Sequence, residues 1–379
     1  MRVLVLGAGF GGLELTTRLS EELGGDVEIT LVDRSDAFVF GFSKLDVMFG
    51  RTDAAHVRHR YRDIVKPGVR FVQTTIRSID PAVKRVETDA GPFDADFLVV
   101  ALGADLDPAA TPGLAEAGHD FYSVESAFAT REVLAGFEGG RVIVGVLSTP
   151  YKCPPAPSET VLMLHDLLVR RGLRDRSQID LVVDFGRPIP PSPEASELLE
   201  GAFAERGIGW HPRSEVFELD PASRTAKLRD GSEMPFDLFL AVPVHRAPAV
   251  VVESGMTVDG WIPVDSLTLE TDHEGVYAVG DVAAVGTPRA GVFAEGQAAV
   301  AADRIAARIR GERSQAEYGG RGVCYLEMGG GQLALVDVTF FGDRRVGQLV
   351  GPSESYMADK ARFGSSRIRR WFGTDWTAT

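Results

Sequence analysis

Cysteine is almost missing from this chain: its 379 residues include only Cys153 and Cys324. Two thiols so far apart in sequence build neither a disulfide framework nor a zinc site. By residue type alone they read as two buried, inert thiols rather than a reactive pair. Long hydrophobic runs are missing too, and no apolar stretch reaches the roughly 18 residues needed to span a bilayer. The first strand begins at Arg2, leaving no room for a charged leader and cleavage site, so the expected compartment is the cytoplasm. Positive charge is in the minority, with 40 Lys and Arg against 54 Asp and Glu and a formal net charge of −14. That balance argues against a nucleic-acid partner and for solubility. What remains, 44% hydrophobic and 25% charged, is ordinary for a globular chain of this length divided into two domains, with a tail.

The chain opens with a continuous apolar strand, Val3-Leu4-Val5-Leu6, followed by Gly7-Ala8-Gly9-Phe10-Gly11-Gly12 and a helical stretch. A second strand, 27–32, ends in Asp33 and Arg34. Strand, Gly-x-Gly-x-x-Gly, helix, strand and acid form the dinucleotide fingerprint in its required order. Gly7 permits the tight turn and Gly9 the approach of backbone N–H groups to a pyrophosphate. Gly12 allows close helix–strand packing, and the helix N-terminus favours the anion. Asp33 is placed to accept from a ribose hydroxyl.

The sequence then repeats itself. An Asp80-Pro81-Ala82 turn, the hairpin strand after it and the strand 97–103, ending Ala101-Leu102-Gly103, return as Asp220-Pro221-Ala222 and the strand 236–243. The offset of about 140 residues marks an internal duplication of a nucleotide-binding unit. It also carries the strand 2–6 onto 141–146. Gly7, Gly9 and Gly12 then fall on Val146 or Leu147, Ser148 or Thr149, and Tyr151 or Lys152, and Gly103 falls on Pro243. Side chains there block the backbone approach that a pyrophosphate requires. The second copy keeps the architecture and loses the phosphate loop. Asp184, at the end of its second strand, reads as an ordinary strand-end carboxylate.

In place of that loop stands Cys153-Pro154-Pro155-Ala156-Pro157-Ser158-Glu159, ahead of a helix expected over 160–169 with Ser158 as its N-cap. The helix's positive end is expected to lower the Cys153 pKa modestly. Glu159 reads equally as a proton shuttle or as a first-turn carboxylate favoured by the helix dipole. Beyond Pro243, a strand 276–279 enters Gly280-Asp281 and a long alanine-rich helix opens near Gly291. Asp281 is thereby placed in the ligand crevice at a carboxyl strand end. The fold class expected is α/β: two Rossmann-like dinucleotide-binding domains, 1–105 with 244–322 and, inserted between them, 106–243, plus a C-terminal α+β region, 323–379.

The 7–12 loop with Asp33, the Ala101–Gly103 strand end and the 276–281 segment resemble the three FAD motifs of flavoproteins with two dinucleotide-binding domains. Cys153 to Glu159 resembles the Cys-Pro-Pro-x-Pro-Tyr-Glu segment of sulfide:quinone oxidoreductases and flavocytochrome c sulfide dehydrogenases. Gly320 to Tyr325 is similar to the stretch carrying their second redox cysteine. The resemblance implies FAD, a Cys153–Cys324 pair that forms a disulfide beside it, and Glu159 as acid/base group. It further implies a sulfide or small thiol donor, and a quinone or another electron carrier as acceptor. Ser158 departs from the usual Tyr, and a third cysteine found in many relatives is absent. No cysteine lies between Asp36 and Phe49 to bind flavin covalently, so FAD is expected to be noncovalent.

The histidines carry less. His56 and His59 suit a surface helix better than a metal site, His165 a packed helix, and His245 is a candidate wall of a channel to the flavin. In the tail, 356–372 sets basic residues beside aromatics. That combination suits a peripheral contact with anionic lipid, with a homodimer contact or a helix end covering the core as alternatives. Two other functions share the scaffold: an NAD(P)H-dependent flavin reductase of the type II NADH dehydrogenase kind, and a flavin-stabilised interaction protein.

Overall fold

The computed structural model describes residues 1–341 and 347–378. Two five-stranded parallel sheets form its centre. In the first, the strand Arg2–Leu6 lies between Glu28–Asp33 and Phe97–Val100, with Val69–Gln73 and Val276–Ala278 at the edges. Val3 to Leu6 are all buried, as a strand covered on both faces requires. The helix Phe10–Leu23 packs against Gly291–Arg310, whose Ala298, Ala301, Ala302 and Ala306 are fully buried.

The second sheet repeats this order. Gly140–Val146 lies between Ser177–Val183 and Leu238–Val242, with Ile208–Pro212 and Gly118–Asp120 outermost. Each sheet carries a three-stranded antiparallel unit built alike, inserted ahead of Phe97–Val100 in the first and Leu238–Val242 in the second. Asp80 Oδ1 accepts from the N–H groups of Ala82 and Val83, and Asp220 Oδ1 from those of Ala222 and Ser223. Lys84 and Arg224 close the two turns with φ of 54° and 50°. Asp96 accepts from the Arg2 N–H and Asp237 from that of Arg141, each at 2.7 Å.

The register corrects one sequence match. Val3 faces Phe97 and Val142 faces Leu238, so Gly103 corresponds to Val244 rather than to Pro243. The second hairpin's turn is one residue longer, which advances everything after it. The same register selects Val146, Ser148 and Tyr151 as the counterparts of Gly7, Gly9 and Gly12. It also sets Val183, not Asp184, against Asp33. The second sheet thus lacks the three glycines and a counterpart of Asp33 together.

The tail adds a three-stranded antiparallel sheet, Arg321–Glu327, Leu333–Thr339 and Gly347–Ser353, and a helix, Tyr356–Phe372. Part of what suggested a lipid contact at this helix faces protein instead. Trp371 and Phe372 are buried in the core of the first sheet. Arg367 grips Glu295 through two 2.7 Å bonds, Arg370 binds Glu14 and Glu21, and Arg369 lies 2.6 Å from Asp375. Trp371, Phe372, Arg367 and Arg370 are thus turned onto the protein, whereas Arg362 and Arg369 stay largely exposed. Among the described residues, no helix is long and apolar enough to cross a membrane.

Candidate active site

One cavity of about 910 Å³ runs from the carboxyl edge of the first sheet to the tail sheet. Gly7, Gly9, Phe10, Asp33 and Arg34 line its first end, with Ala101 and Gly103 opposite and Asp281 and Gly291 further along. A Cβ on Gly7 (φ +97°) would lie 2.4 Å from the Ala101 carbonyl oxygen, and one on Gly12 only 1.9 Å from that of Gly7. A Cβ on Gly9 would meet nothing within 4 Å, so Gly9 opens onto the cavity at the start of a helix. Ala8, Gly11, Gly12 and Gly280 stand behind the wall. The Ala8 N–H donates to Asp33 Oδ2 at 2.7 Å, and the Gly280 N–H to Gln297 Oε1 at 2.7 Å. The backbone and packing of these four shape the site without facing it.

The other end is built by the loop between Gly140–Val146 and the helix Ala156–Arg170. In the first copy residues 7–9 separate strand and helix; in the second, residues 147–155 do. Tyr151, at the position of Gly12, is buried and stacks on Phe185 at 5.7 Å. The N-cap is Pro155, with Ser158 buried inside the first turn, which corrects the expected cap and start. Proline at the first turn removes donors that have no intrahelical partner anyway. The loop is fastened across the cavity, since the Cys153 N–H donates to the Arg289 carbonyl at 2.6 Å. Cys153 has φ of 54°, the left-handed region uncommon for residues other than glycine.

Cys153, Cys324 and Glu159 all line this end. Both cysteines are free thiols, and the exposed surface of Cys153 belongs to the cavity, deep within the protein. The expected lowering of the Cys153 pKa is reversed. Burial pushes this thiol up, Glu159 and Cys324 add to the rise, and Lys44 and the Ala156 N–H oppose it. Cys324 is pushed up to about 12 by burial and by Glu159. Glu159 is raised to about 7 by burial, against Lys360 and the 3.0 Å bond it accepts from the Glu327 N–H.

Several groups in this region carried no signal in the sequence. Lys44 lines the cavity from the short helix Ser43–Met48 and donates to the Tyr122 carbonyl. Burial, then the charge of Lys152, lower its pKa to about 8. Burial raises the Asp281 carboxyl against the pull of Lys152, Arg289 and Lys44. Only long-range packing brings these three cations together. His245 is buried with its Nδ1 2.8 Å from the Pro243 carbonyl and its ring against Tyr122, and it is not a cavity wall as expected. His59 is buried in the strand Arg58–Arg60 against Trp376, not on a surface helix, because the C-terminal segment covers it. His165 is part-buried in its helix, 3.5 Å from Asp166. Among the described residues, no group of His, Cys, Asp or Glu is arranged to hold a metal.

Residues 1–145 and 172–302 match the pyridine nucleotide-disulphide oxidoreductase family. The chain belongs to that family. Over 353 residues it is 24% identical to the mitochondrial sulfide:quinone oxidoreductase of Mus musculus, covering 89% of this chain and 78% of the relative. A type II NADH:quinone oxidoreductase of Staphylococcus saprophyticus is 35% identical over 115 residues, 30% of this chain and 29% of the relative. The sulfide:quinone oxidoreductase structure from Aquifex aeolicus superposes with a TM-score of 0.85 at 21% identity, covering 98% of this chain and 92% of that one. As a member of the pyridine nucleotide-disulphide oxidoreductase family, the chain is an FAD-dependent oxidoreductase. The first end of the cavity fits that cofactor: Gly9 leaves room at a helix N-terminus for a diphosphate, and Asp33 and Asp281 offer carboxylates for hydroxyl groups.

Proposed function

We propose that this chain oxidises sulfide, or a small thiol or persulfide, at Cys153 and Cys324 and passes two electrons through FAD to a quinone or another carrier. The observation that carries this reading is the loop 148–155: where the duplicated unit would hold a nicotinamide dinucleotide, it sets Cys153 in one cavity with Cys324 and Glu159. In the disulfide form of the pair, a hydrosulfide or thiolate attacks one sulfur and the other leaves as thiolate. Burial and the nearby Glu159 carboxylate disfavour the leaving thiolate. A proton from Glu159 relieves that, and a carboxyl near pH 7 gives and takes protons with equal ease. FAD, held by the 7–12 loop and Asp281, supplies the two-electron carrier when bound. We assign residues 1–105 with 244–322 to its domain, 106–243 to the cysteine loop's domain and 323–379 to the region that contributes Cys324.

The test is an anaerobic titration of the FAD-loaded protein with sulfide, NADH and NADPH, followed by visible flavin absorbance. Sulfide is expected to bleach it and Cys153→Ser to lose the response. Unchanged bleaching in that variant would remove the cysteines from the reaction. The partial likeness to a type II NADH:quinone oxidoreductase favours NADH as donor instead, and rapid bleaching by NADH would establish that reading.

A further inference from the structure

Behind the cysteines, five charged side chains meet, four of them buried and Arg51 partly exposed, and their charges do not balance. Glu327, 2% exposed, accepts from Lys360 Nζ at 2.6 Å and from Arg51 Nη1 at 2.9 Å. Arg51 also lies 3.5 Å from Asp46 Oδ1. Asp46 is 1% exposed, and its Oδ2 has no hydrogen-bond partner. Glu159 joins the group through the Glu327 N–H at 3.0 Å. Three carboxylates therefore face two cations. A surplus buried charge is costly unless it is neutralised, and the ordinary remedy is a bound proton.

Glu327 does not hold that proton. Burial opposes its charge, but Lys360 and Arg51 keep its carboxyl below the usual range. Asp46 and Glu159 are both displaced upward, chiefly by burial. The groups facing Asp46 are Lys360 from the tail helix, Glu327 from the tail strand and Arg51 from its own loop. Those facing Glu159 are Lys360, Glu327 and Asp46, with Cys153 and Cys324 on the cavity side. The helix Val124–Gly136, packed against Ser43–Met48, directs Arg131 to Asp53 at 3.0 Å and Glu125 to Arg58 at 3.8 Å instead.

We propose that Asp46 is a second proton-holding group of this site, and that Asp46 and Glu159 share a single proton. With the proton on Glu159 the site presents an acid to the cysteines; with it on Asp46 it presents a base. The cluster's total charge is the same in both states. How the proton is used rests on the reaction proposed above. When hydrosulfide attacks the disulfide, the donor sulfur bonds to one cysteine, the bond between the cysteines breaks, and two electrons pass from the donor sulfur to the departing one. That sulfur takes the proton of Glu159. The carboxylate then collects the proton of the new persulfide, so the donor's hydrogen replaces the one given up.

Infrared spectra of the FAD-loaded full chain at neutral pH test this without any sulfur donor. Difference spectra, wild type minus Asp46→Asn and wild type minus Glu159→Gln, are expected to show loss of the same single carboxylic-acid absorption. Each substitution leaves two carboxylates with two cations and no reason to hold a proton. Loss in the Glu159 variant alone, or in the Asp46 variant alone, assigns the proton to one residue and overturns the sharing. Flavin retention and thermal melting check that the variants fold, and Asp46→Glu is expected to restore the absorption. Because no sulfide is used, failure of the shared proton and failure of the sulfide reaction are separate results.

Discussion

Glu159 accepts a 3.0 Å hydrogen bond from the backbone N–H of Glu327, so the helix behind the Cys153 loop and the strand that carries Cys324 meet at a carboxyl group. That carboxyl is raised to about 7, first by burial. A carboxyl whose folded value lies above its unfolded one adds stability that is fully present below the unfolded value and lost as pH rises through the folded one. Glutamine mimics the protonated form. Glu159→Gln is therefore expected to melt close to wild type at pH 5 and above it at pH 8, with the difference growing from about pH 5 and complete above about pH 7. A difference independent of pH would mean the carboxyl does not titrate there.

The glycines of the first loop divide into two kinds. A Cβ on Gly12 would strike the Gly7 carbonyl, whereas one on Gly9 would enter open space. Gly12→Ala is expected to destabilise even the flavin-free protein, by about 1–3 kcal/mol as overpacking usually does. Gly9→Val should leave flavin-free stability nearly unchanged and weaken FAD binding at least tenfold. Denaturant melts and flavin titration separate the two.

The second sheet is expected to bind neither NADH nor NADPH. Tyr151 occupies the close-packing glycine's position and Val183 that of the ribose-facing acid. Calorimetric titration of the FAD-loaded protein should show no saturable heat with either nucleotide. Saturable binding that Tyr151→Gly strengthens would show that the vestigial site still works.

Trp371 is fully buried, and its indole N–H donates to Glu14 at 3.0 Å. Trp371→Ala is expected to cost about 3–5 kcal/mol, as large aromatic deletions do. Partition onto anionic vesicles should not change with Arg367→Ala or Arg370→Ala, whose guanidinium groups already hold Glu295, Glu14 and Glu21. Loss of vesicle binding in those variants would show that these two arginines face lipid.

The duplicated scaffold was legible because turns are local. The Asp80 and Asp220 carboxylates cap the same two N–H groups, and such chemistry leaves a mark on adjacent residues. The one-residue slip at Gly103 was not, because only strand register reveals a longer turn. Cys153, Glu159 and Cys324 could be read from their segments, whereas Lys44, Asp46, Arg51 and Arg289 could not. Nothing beside Asp46 in sequence shows that it will be buried, and burial is what perturbs it. Ser158 suits a cap by general preference, but Pro155 and Pro157 favour the earlier start that the helix takes.

The tail helix places Lys360 against Glu327 and Trp371 against Glu14, tying it to the first helix of the chain and to the cysteine-lined end of the cavity. A ribosome makes the flavin loop first, then Cys153, then Cys324 and Lys360. The first sheet takes an edge strand from Val276–Ala278 and a covering helix from Gly291–Arg310, so the flavin-binding domain and the meeting of the two cysteine-bearing segments are completed within one short stretch of synthesis.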